Sequence, residues 1–199
     1  IGFSFVGLAG LGDPLRDSVP AAAADCHAAG IRVVMITGDY PATAASIARL
    51  AGLAEGGVVT GDEIAAMDDA ALTGALKSAT VIARVMPEQK LRIIEALKAA
   101  GETVAMTGDG VNDAPSLRAA HVGIAMGGRG TDVAREASGI VLLDDDFGSI
   151  AQAIRQGRRI YDNLQKAMAF ILAVHVPIAG TALLPLFLDL PFVLGPLHI

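Results

Sequence analysis

Three copies of the triplet Thr-Gly-Asp are the first sign of chemistry in this sequence. They lie at Thr37–Asp39, Thr60–Asp62 and Thr107–Asp109. The first and third copies each follow a short apolar run that is typical of a buried strand, so their polar groups should lie at strand ends. The middle copy precedes a polar, acidic stretch, and there we predict a turn and a helix cap.

The third copy continues into Thr-Gly-Asp-Gly-Val-Asn-Asp-Ala-Pro, residues 107–115. Its tight glycine turn can bring the carboxylates of Asp109 and Asp113 and the amide of Asn112 to one point. Hard oxygen donors of this kind suit Mg²⁺, which binds carboxylates together with substrate phosphate. We therefore predict a magnesium site. The alternative is an acidic turn that caps a helix with Pro115 in its first turn.

Phosphoryl transfer also needs a donor that holds the phosphate and a cation that offsets the developing charge. Thr37 supplies a hydroxyl beside the backbone amides of Gly38 and Asp39. Lys90 follows Arg84-Val-Met-Pro87 in the first turns of a predicted helix, which places its ammonium near the same edge. The alternative for Lys90 is a solvated surface charge.

Short apolar runs alternate with helical patterns up to about residue 147. Strands are predicted at Phe3–Ala9, Ile31–Ile36, Thr80–Ala83, Thr103–Met106, Val122–Ala125 and Ile140–Leu143. Helices are predicted at Ser18–Ala29, Ala42–Leu53, Asp69–Lys77, Pro87–Ala99 and Thr131–Ala137. This alternation predicts an α/β fold with a Rossmann-like, doubly wound parallel sheet, in which ligands bind beyond the carboxyl ends of the strands.

The chain changes character after Phe147. Residues 148–166 carry basic side chains among apolar ones, which predicts an amphipathic stalk helix. Residues 167–188 carry no charged side chain and reach about 33 Å as a helix, enough for a hydrocarbon core of about 30 Å. We predict a transmembrane helix there, then a turn and the start of another span over 189–199. The basic stalk places residues 1–166 on the cytoplasmic side. A buried helix of a soluble domain is the alternative.

His175 and the backbone near Pro177 form a candidate transport site within that span. Pro177 cannot donate a hydrogen bond to the carbonyl of Ala173, which leaves an oxygen for an ion. A histidine in hydrocarbon is costly unless it has a partner or a task, and an imidazole can exchange protons near physiological pH. The alternative is that His175 hydrogen-bonds a neighbouring helix.

Composition narrows the classes of function. The formal net charge of −6 disfavours nucleic-acid binding. Cys26 is the one cysteine, which excludes an internal disulfide and a cysteine-based metal site; we predict a small core residue in a helix. Because the chain begins Ile-Gly-Phe and stops inside an apolar run, we expect a fragment of a longer polypeptide.

These motifs together resemble the haloacid dehalogenase superfamily and, within it, the P-type ATPases, along nearly the whole chain. Asp13-Pro-Leu-Arg16 looks like the family's Asp-Pro-Pro-Arg, with leucine in place of one proline. The other segments similar to the family are Met35–Asp39, Thr107–Leu117, Gly123–Gly127, Thr131–Ala134, and Gly157–Tyr161 followed by Asn163. The calcium and sodium–potassium pump branch is the most similar.

The resemblance implies a multi-pass cation pump of the plasma membrane that uses ATP and Mg²⁺. By resemblance, the magnesium carboxylates are Asp109 and Asp113, the residues that hold the phosphoryl group are Thr37, Lys90 and Asn112, and those near the nucleotide are Gly38, Asp39 and Arg84. The aspartate phosphorylated in this family lies in Asp-Lys-Thr-Gly-Thr, which is absent here. It would lie upstream with the actuator and nucleotide-binding domains, so we expect the fragment alone to be inactive. The phosphorylation domain would then cover residues 1–147.

Two other classes of function compete with the pump. A soluble phosphatase of the same superfamily would need Asp13 as nucleophile, although Asp13-Pro14-Leu15 differs from the usual Asp-x-Asp. A non-catalytic regulatory remnant fits the missing nucleophile. Within the pump class, calcium pumps have an asparagine and a glutamate where this sequence has His175 and Ile178, which leaves the transported cation open.

Overall fold

The computed structural model describes residues 3–7, 14–53 and 55–188. The chain divides into two compact units, Ile1–Ala151 and Gln152–Ile199. Asp13 and residues 189–199 lie outside the described residues, as do Leu8 and Ala9 of the first predicted strand. Residues 3–7 form no strand.

The first half of the larger unit is a three-stranded parallel sheet with its helices. Its elements are α1 (Ser18–Ala28), β1 (Met35–Ile36), α2 (Pro41–Leu50), β2 (Gly57–Thr60), α3 (Gly61–Ala66), α4 (Asp69–Ser78) and β3 (Ala79–Ala83). The strand order is β1-β3-β2. All residues of β3 are buried, which suits a central strand rich in small and β-branched side chains.

The second half repeats this arrangement. Its elements are α5 (Pro87–Ala99), β4 (Ala105–Gly108), a 3₁₀ turn (Val111–Asp113), α6 (Ala114–Ala119), β5 (Val122–Met126), α7 (Asp132–Ala137) and β6 (Ile140–Leu142). The strand order is β4-β5-β6, again parallel. The parallel α/β prediction is therefore confirmed. Its strands lie in two three-stranded sheets, because β1 and β4 each form a ladder on one side only among the described residues.

Helix α5 joins the two halves. Pro87 occupies its first turn, where the missing N–H costs nothing, and Gly101 follows its end with φ +84°. Ile93 is buried in the core beneath β3, whereas Ile94 is buried in the core beneath β4 and β5. Each buried isoleucine contributes about 1.5–3 kcal/mol, so α5 holds the two half-sheets as one unit.

The predicted strand Ile31–Ile36 is wrong over most of its length. Only Met35 and Ile36 pair with β3, opposite Val81 and Ile82. Before them, the Arg32 guanidinium donates to the carbonyls of Leu76 and Ala79, so this segment is held by a side chain rather than by a ladder.

The middle triplet caps a helix, as predicted. The Thr60 hydroxyl accepts from the backbone N–H of Glu63, and the Glu63 carboxylate accepts from the backbone N–H of Thr60 at 2.7 Å. The Thr60 backbone donor lowers the pKa of Glu63. The sequence showed no strong strand before this triplet, yet β2 ends at Thr60, because Val58 and Val59 pair with β3.

Cys26 lies buried in α1 against Ala22 and Ala151, as predicted, and burial raises the pKa of its thiol.

A single helix, α8 (Phe147–Leu188), covers both the predicted stalk and the predicted span. Its 42 residues correspond to about 63 Å of helix. Among the described residues it is the one helix long and apolar enough to cross a membrane, with a mean hydropathy of 2.0 in its most apolar window.

Candidate functional site

Asp113 is the most enclosed polar group of the predicted magnesium motif. It ends the 3₁₀ turn after β4, and its side chain is 10% exposed. One carboxylate oxygen accepts from the Lys90 ammonium at 2.6 Å and the other accepts from the backbone N–H of Gly110 at 3.2 Å. Lys90 itself is 20% exposed. A pair this well enclosed is screened weakly by solvent, so losing either charge leaves the other without compensation.

Gly108, the glycine of the third triplet, is required by the position of Asp113. A Cβ at Gly108 would lie 2.6 Å from the Asp113 Cβ, which is closer than real contacts allow. The strand therefore ends in a residue without a side chain, and the Asp113 carboxylate occupies that space.

Asp109 and Asn112 extend into solvent beside this pair. Both residues are exposed, and in the described part of the chain neither side chain has a hydrogen-bond partner. The Asp109 carbonyl accepts from the backbone N–H of Thr131 at 2.9 Å, and the Thr131 hydroxyl caps α7. The Asp109 carboxylate is thus free to bind a ligand while its backbone is held.

This donor set fits Mg²⁺. No cluster of three or more His, Cys, Asp or Glu ligands occurs among the described residues. Mg²⁺ needs no such cage, because it keeps several waters and takes one or two carboxylates together with phosphate oxygens. The carboxylates that would serve here are those of Asp109 and Asp113, and Asn112 would supply an adjacent amide.

The first triplet follows β1 and so lies in the first half of the unit, whereas the magnesium motif lies in the second half. The Thr37 hydroxyl donates to the Asp39 carboxylate at 2.9 Å and accepts from the Asp39 backbone N–H. The Thr37 carbonyl accepts from the backbone N–H of Val85 at 3.1 Å, just before α5 begins. The hydroxyl expected to face phosphate is therefore oriented by its own turn.

Arg84 joins this turn in an unusual conformation. Its φ is +55°, its backbone N–H donates to the Asp39 carbonyl, and its guanidinium lies 4.8 Å from the centre of the Tyr40 ring. Tyr40 is 68% exposed. Sequence reasoning missed Tyr40, although an aromatic residue directly after Asp39 was a visible signal of a stacking surface.

Lys90 links the helix that begins beside the first triplet to the magnesium motif. Helix α5 begins next to Thr37, through the hydrogen bond to Val85, and Lys90 reaches from its first turns to Asp113. In the described part of the chain, no hydrogen bond or ion pair joins Thr37, Gly38 or Asp39 directly to the magnesium motif.

The predicted transport residues lie in α8. His175 Nδ1 is 2.9 Å from the carbonyl of Ile171, so the imidazole bonds its own helix. Pro177 lies inside the helix four residues after Ala173. Pro185 stands four residues after Thr181 and removes a second backbone donor, which the sequence analysis missed. The Thr181 hydroxyl donates to the carbonyls of Pro177 and Ile178 at 3.0 Å.

Comparison with known proteins gives a consistent group of relatives. Residues 4–121 match the model of a haloacid dehalogenase-like hydrolase. The chain is 49% identical to the cation-transporting ATPase pma1 of Synechocystis sp. over 192 residues, covering 95% of this chain and 21% of that protein. It is 46% identical to calcium-transporting ATPase 1 of Bacillus cereus, covering 98% of this chain and 22% of that protein.

Two solved structures of zinc-transporting PIB-type ATPases are also similar to this chain. A crystal structure of a zinc-transporting PIB-type ATPase matches with a TM-score of 0.64 and 30% identity, over 84% of this chain and 23% of that chain. A second crystal structure of a zinc-transporting PIB-type ATPase, in another state, matches with a TM-score of 0.66 and 29% identity, over 90% and 24%. The chain spans about a fifth of the length of the curated relatives it matches.

Proposed function

The chain belongs to the haloacid dehalogenase-like hydrolase family, and on that premise we propose that it forms part of an ATP-driven cation pump of the P-type. The predicted resemblance to cation-transporting P-type ATPases is confirmed by its relatives. The observation that supports the function best is the enclosed Lys90–Asp113 pair beside the exposed carboxylate of Asp109, all within the string at residues 107–115 and the helix that faces it.

We assign the phosphoryl-transfer roles from this geometry. Asp109 and Asp113 hold Mg²⁺, which when bound offsets phosphate charge. The Lys90 ammonium holds the Asp113 carboxylate in its enclosed position and adds positive charge near the transferred group.

The other assigned residues surround the phosphate and the nucleotide. Gly38 and Asn112 donate to phosphoryl oxygens, and the Thr37 hydroxyl does so when it exchanges the Asp39 carboxylate for phosphate. Asp39 and Arg84 line the approach of ATP, with Tyr40 as the surface beneath Arg84. The accepting aspartate lies upstream, since Asp-Lys-Thr-Gly-Thr is absent from this chain.

The proposed membrane topology rests on α8. Residues 167–188 span the bilayer and residues 1–166 lie in the cytoplasm, in a multi-pass pump of the plasma membrane. The actuator and nucleotide-binding domains belong to the same longer polypeptide. A soluble phosphatase with Asp13 as nucleophile has no use for a helix of this length and apolarity, so we favour the pump.

Phosphoenzyme formation by the full-length protein tests the catalytic assignment. With ATP labelled at its terminal phosphate and with Mg²⁺, wild type should form an acid-stable phosphoenzyme. Asp109→Asn should lose it at least about a hundredfold, because a carboxylate that binds the metal is gone. The matched control is Asp62→Asn, which changes the same residue of the middle triplet and should phosphorylate normally. Equal phosphoenzyme in both variants would overturn the assignment.

The transport site is proposed at His175 and the carbonyl of Ala173. In vesicles that contain the full-length pump, His175→Ala should change ion affinity or proton coupling while phosphorylation by ATP persists, because the imidazole is a polar group at membrane depth. Thr181→Val, one turn beyond Pro177, is the comparison. If His175→Ala keeps the affinity, coupling and pH dependence of wild type, the histidine only packs.

A further inference from the structure

Three consecutive aspartates, Asp144–Asp146, join β6 to α8 and have no role in the site described above. Asp144 is exposed and the other two are half-buried, and each carboxylate accepts hydrogen bonds from the protein. The pKa of each is lowered: by the Ser149 hydroxyl at Asp144, by the Gly128 N–H at Asp145 and by the Gly148 N–H at Asp146. These three carboxylates are therefore held by the protein rather than left to water.

Asp145 binds the loop that follows β5. One carboxylate oxygen accepts from the backbone N–H of Gly128 at 2.9 Å, and the other accepts from that of Arg129 at 2.9 Å. Its φ is +52°, a left-handed conformation that a non-glycine residue keeps only where its surroundings hold it. Its carbonyl accepts from the Arg16 guanidinium at 2.5 Å.

The loop bound by Asp145 leads directly to Asp109. Two residues after Arg129, the backbone N–H of Thr131 donates to the Asp109 carbonyl at 2.9 Å. Asp109 and Asp145 also line the same cavity of about 220 Å³. A Cβ at Gly128 would lie 2.8 Å from the Asp145 carboxylate, so the loop lies against Asp145 without spare room.

The aspartates beside Asp145 hold the first turn of α8. Asp146 accepts from the backbone N–H of Gly148 at 2.9 Å and from the Ser18 hydroxyl at 2.8 Å. Asp144 accepts from the Ser149 hydroxyl at 2.6 Å. Negative charge at a helix N-terminus is favourable, so these contacts also stabilise the start of α8.

We propose that Asp145 is a positioning residue that ties the backbone of Asp109 to the first turn of α8, so that ligand binding at Asp109 changes the conformation at the start of that helix. This inference rests on the proposed function, because it takes Mg²⁺ and phosphate as the ligands of Asp109. The connection runs from Asp109 through Thr131 and the Gly128–Arg129 backbone to Asp145. Asp146 follows, and α8 begins at Phe147.

The experiment uses trypsin as a probe of α8 in the full-length protein. Arg155, Arg158 and Arg159 are exposed in α8 soon after its start. Cleavage at these arginines, measured by mass spectrometry, is compared with Mg²⁺ plus orthovanadate and with neither. In wild type we expect the cleavage rates to differ about fivefold or more, the size of a typical coupling between sites.

Two variants separate the carboxylate from the backbone conformation. Asp145→Gly keeps the positive φ but loses both acceptors, and it should abolish the ligand dependence of cleavage. Asp145→Asn keeps one acceptor and should reduce that dependence partly. The control is Asp68→Gly, which removes a carboxylate that caps α4 and should leave the dependence unchanged.

The outcomes distinguish this inference from the proposed function. Phosphoenzyme formation is measured on the same samples, and a wild type that forms none contradicts the pump itself. Phosphoenzyme at the wild-type level in Asp145→Gly, with the ligand dependence lost, supports the positioning role. Unchanged ligand dependence in Asp145→Gly, or none in wild type, overturns it. If a thermal-shift assay shows that Asp145→Gly is unfolded, Asp145→Asn takes its place in the test. A reduced ligand dependence of cleavage in Asp145→Asn then supports the positioning role, and an unchanged one overturns it.

Discussion

The triplets at Thr60–Asp62 and Thr107–Asp109 have the same three residues and different surroundings. In the middle triplet, the Thr60 hydroxyl is occupied by the capping box, and the space beside Gly61 is filled by the carbonyl of Arg84. In the third, the space beside Gly108 is filled by Asp113, whose carboxylate binds Lys90. The difference teaches that the residues packed against a triplet, rather than the triplet itself, decide which local structure it takes.

Among changes that distinguish the surroundings of the third triplet from those of the middle one, Lys90→Ala is expected to lower stability and phosphorylation most. This change leaves the enclosed Asp113 carboxylate without its cation and should cost about 3 kcal/mol of stability, near the lower limit for breaking a buried pair. Phosphoenzyme formation should also be lost. The control is Lys77→Ala at an exposed position of α4, with little effect on either measurement. A thermal-shift assay and phosphorylation of the full-length protein test both, and a Lys90→Ala protein as stable as the control would contradict the pairing.

Alanine substitutions at Gly61 and Gly108 should separate an effect on stability alone from an effect on Mg²⁺-dependent phosphorylation. Gly61→Ala and Gly108→Ala each force a Cβ into occupied space and should each cost about 1–3 kcal/mol. Because the Cβ added at Gly108 would push on Asp113, that variant should also need more Mg²⁺ for half-maximal phosphorylation. Gly61→Ala should keep the Mg²⁺ requirement of wild type. A Mg²⁺ titration of phosphoenzyme level measures this, and equal shifts in both variants would remove the distinction.

The smallest effect is expected from Thr60→Ala, which breaks the capping box of α3. At neutral pH it should cost about 1 kcal/mol and leave phosphoenzyme unchanged. The folded pKa of Glu63 lies below its unfolded value, so its contribution is present above the unfolded pKa of about 4.3 and is lost as pH falls through the folded pKa. The stability difference between wild type and Thr60→Ala should therefore shrink in acid. A constant difference down to low pH would show that Glu63 takes no part.

Strand prediction succeeded where the local pattern and the neighbouring strands agreed. Val122–Ala125 and Thr80–Ala83 were predicted almost at their observed bounds, because both lie at the centre of their sheets and are rich in apolar residues. Gly57–Thr60 was missed because its strand character comes from pairing with β3. The stalk and span were predicted as two helices, yet no breaking residue separates them and α8 is continuous.

The candidate site was predicted residue by residue, but not its connections. The roles of Asp109, Asp113 and Lys90 remain predictions that the phosphorylation experiments test. Lys90 and Asp113 are 23 residues apart, and no periodicity shows that a lysine on α5 will meet an aspartate after β4. Tyr40 and Arg84 are 44 residues apart, and Arg84 meets the ring from a positive-φ conformation beyond the end of β3.

The amino-acid sequence by itself determined the oxygen-rich string at residues 107–115, the parallel α/β pattern and the uncharged run at residues 167–188. These depend on local composition and spacing, which act between neighbours along the chain. Only the tertiary structure decided that Lys90 pairs with Asp113, that the carbonyl of Arg84 fills the space beside Gly61, and that Asp145 binds the loop leading to Asp109. Those contacts join segments distant in sequence, and their geometry is set by how helices and strands pack.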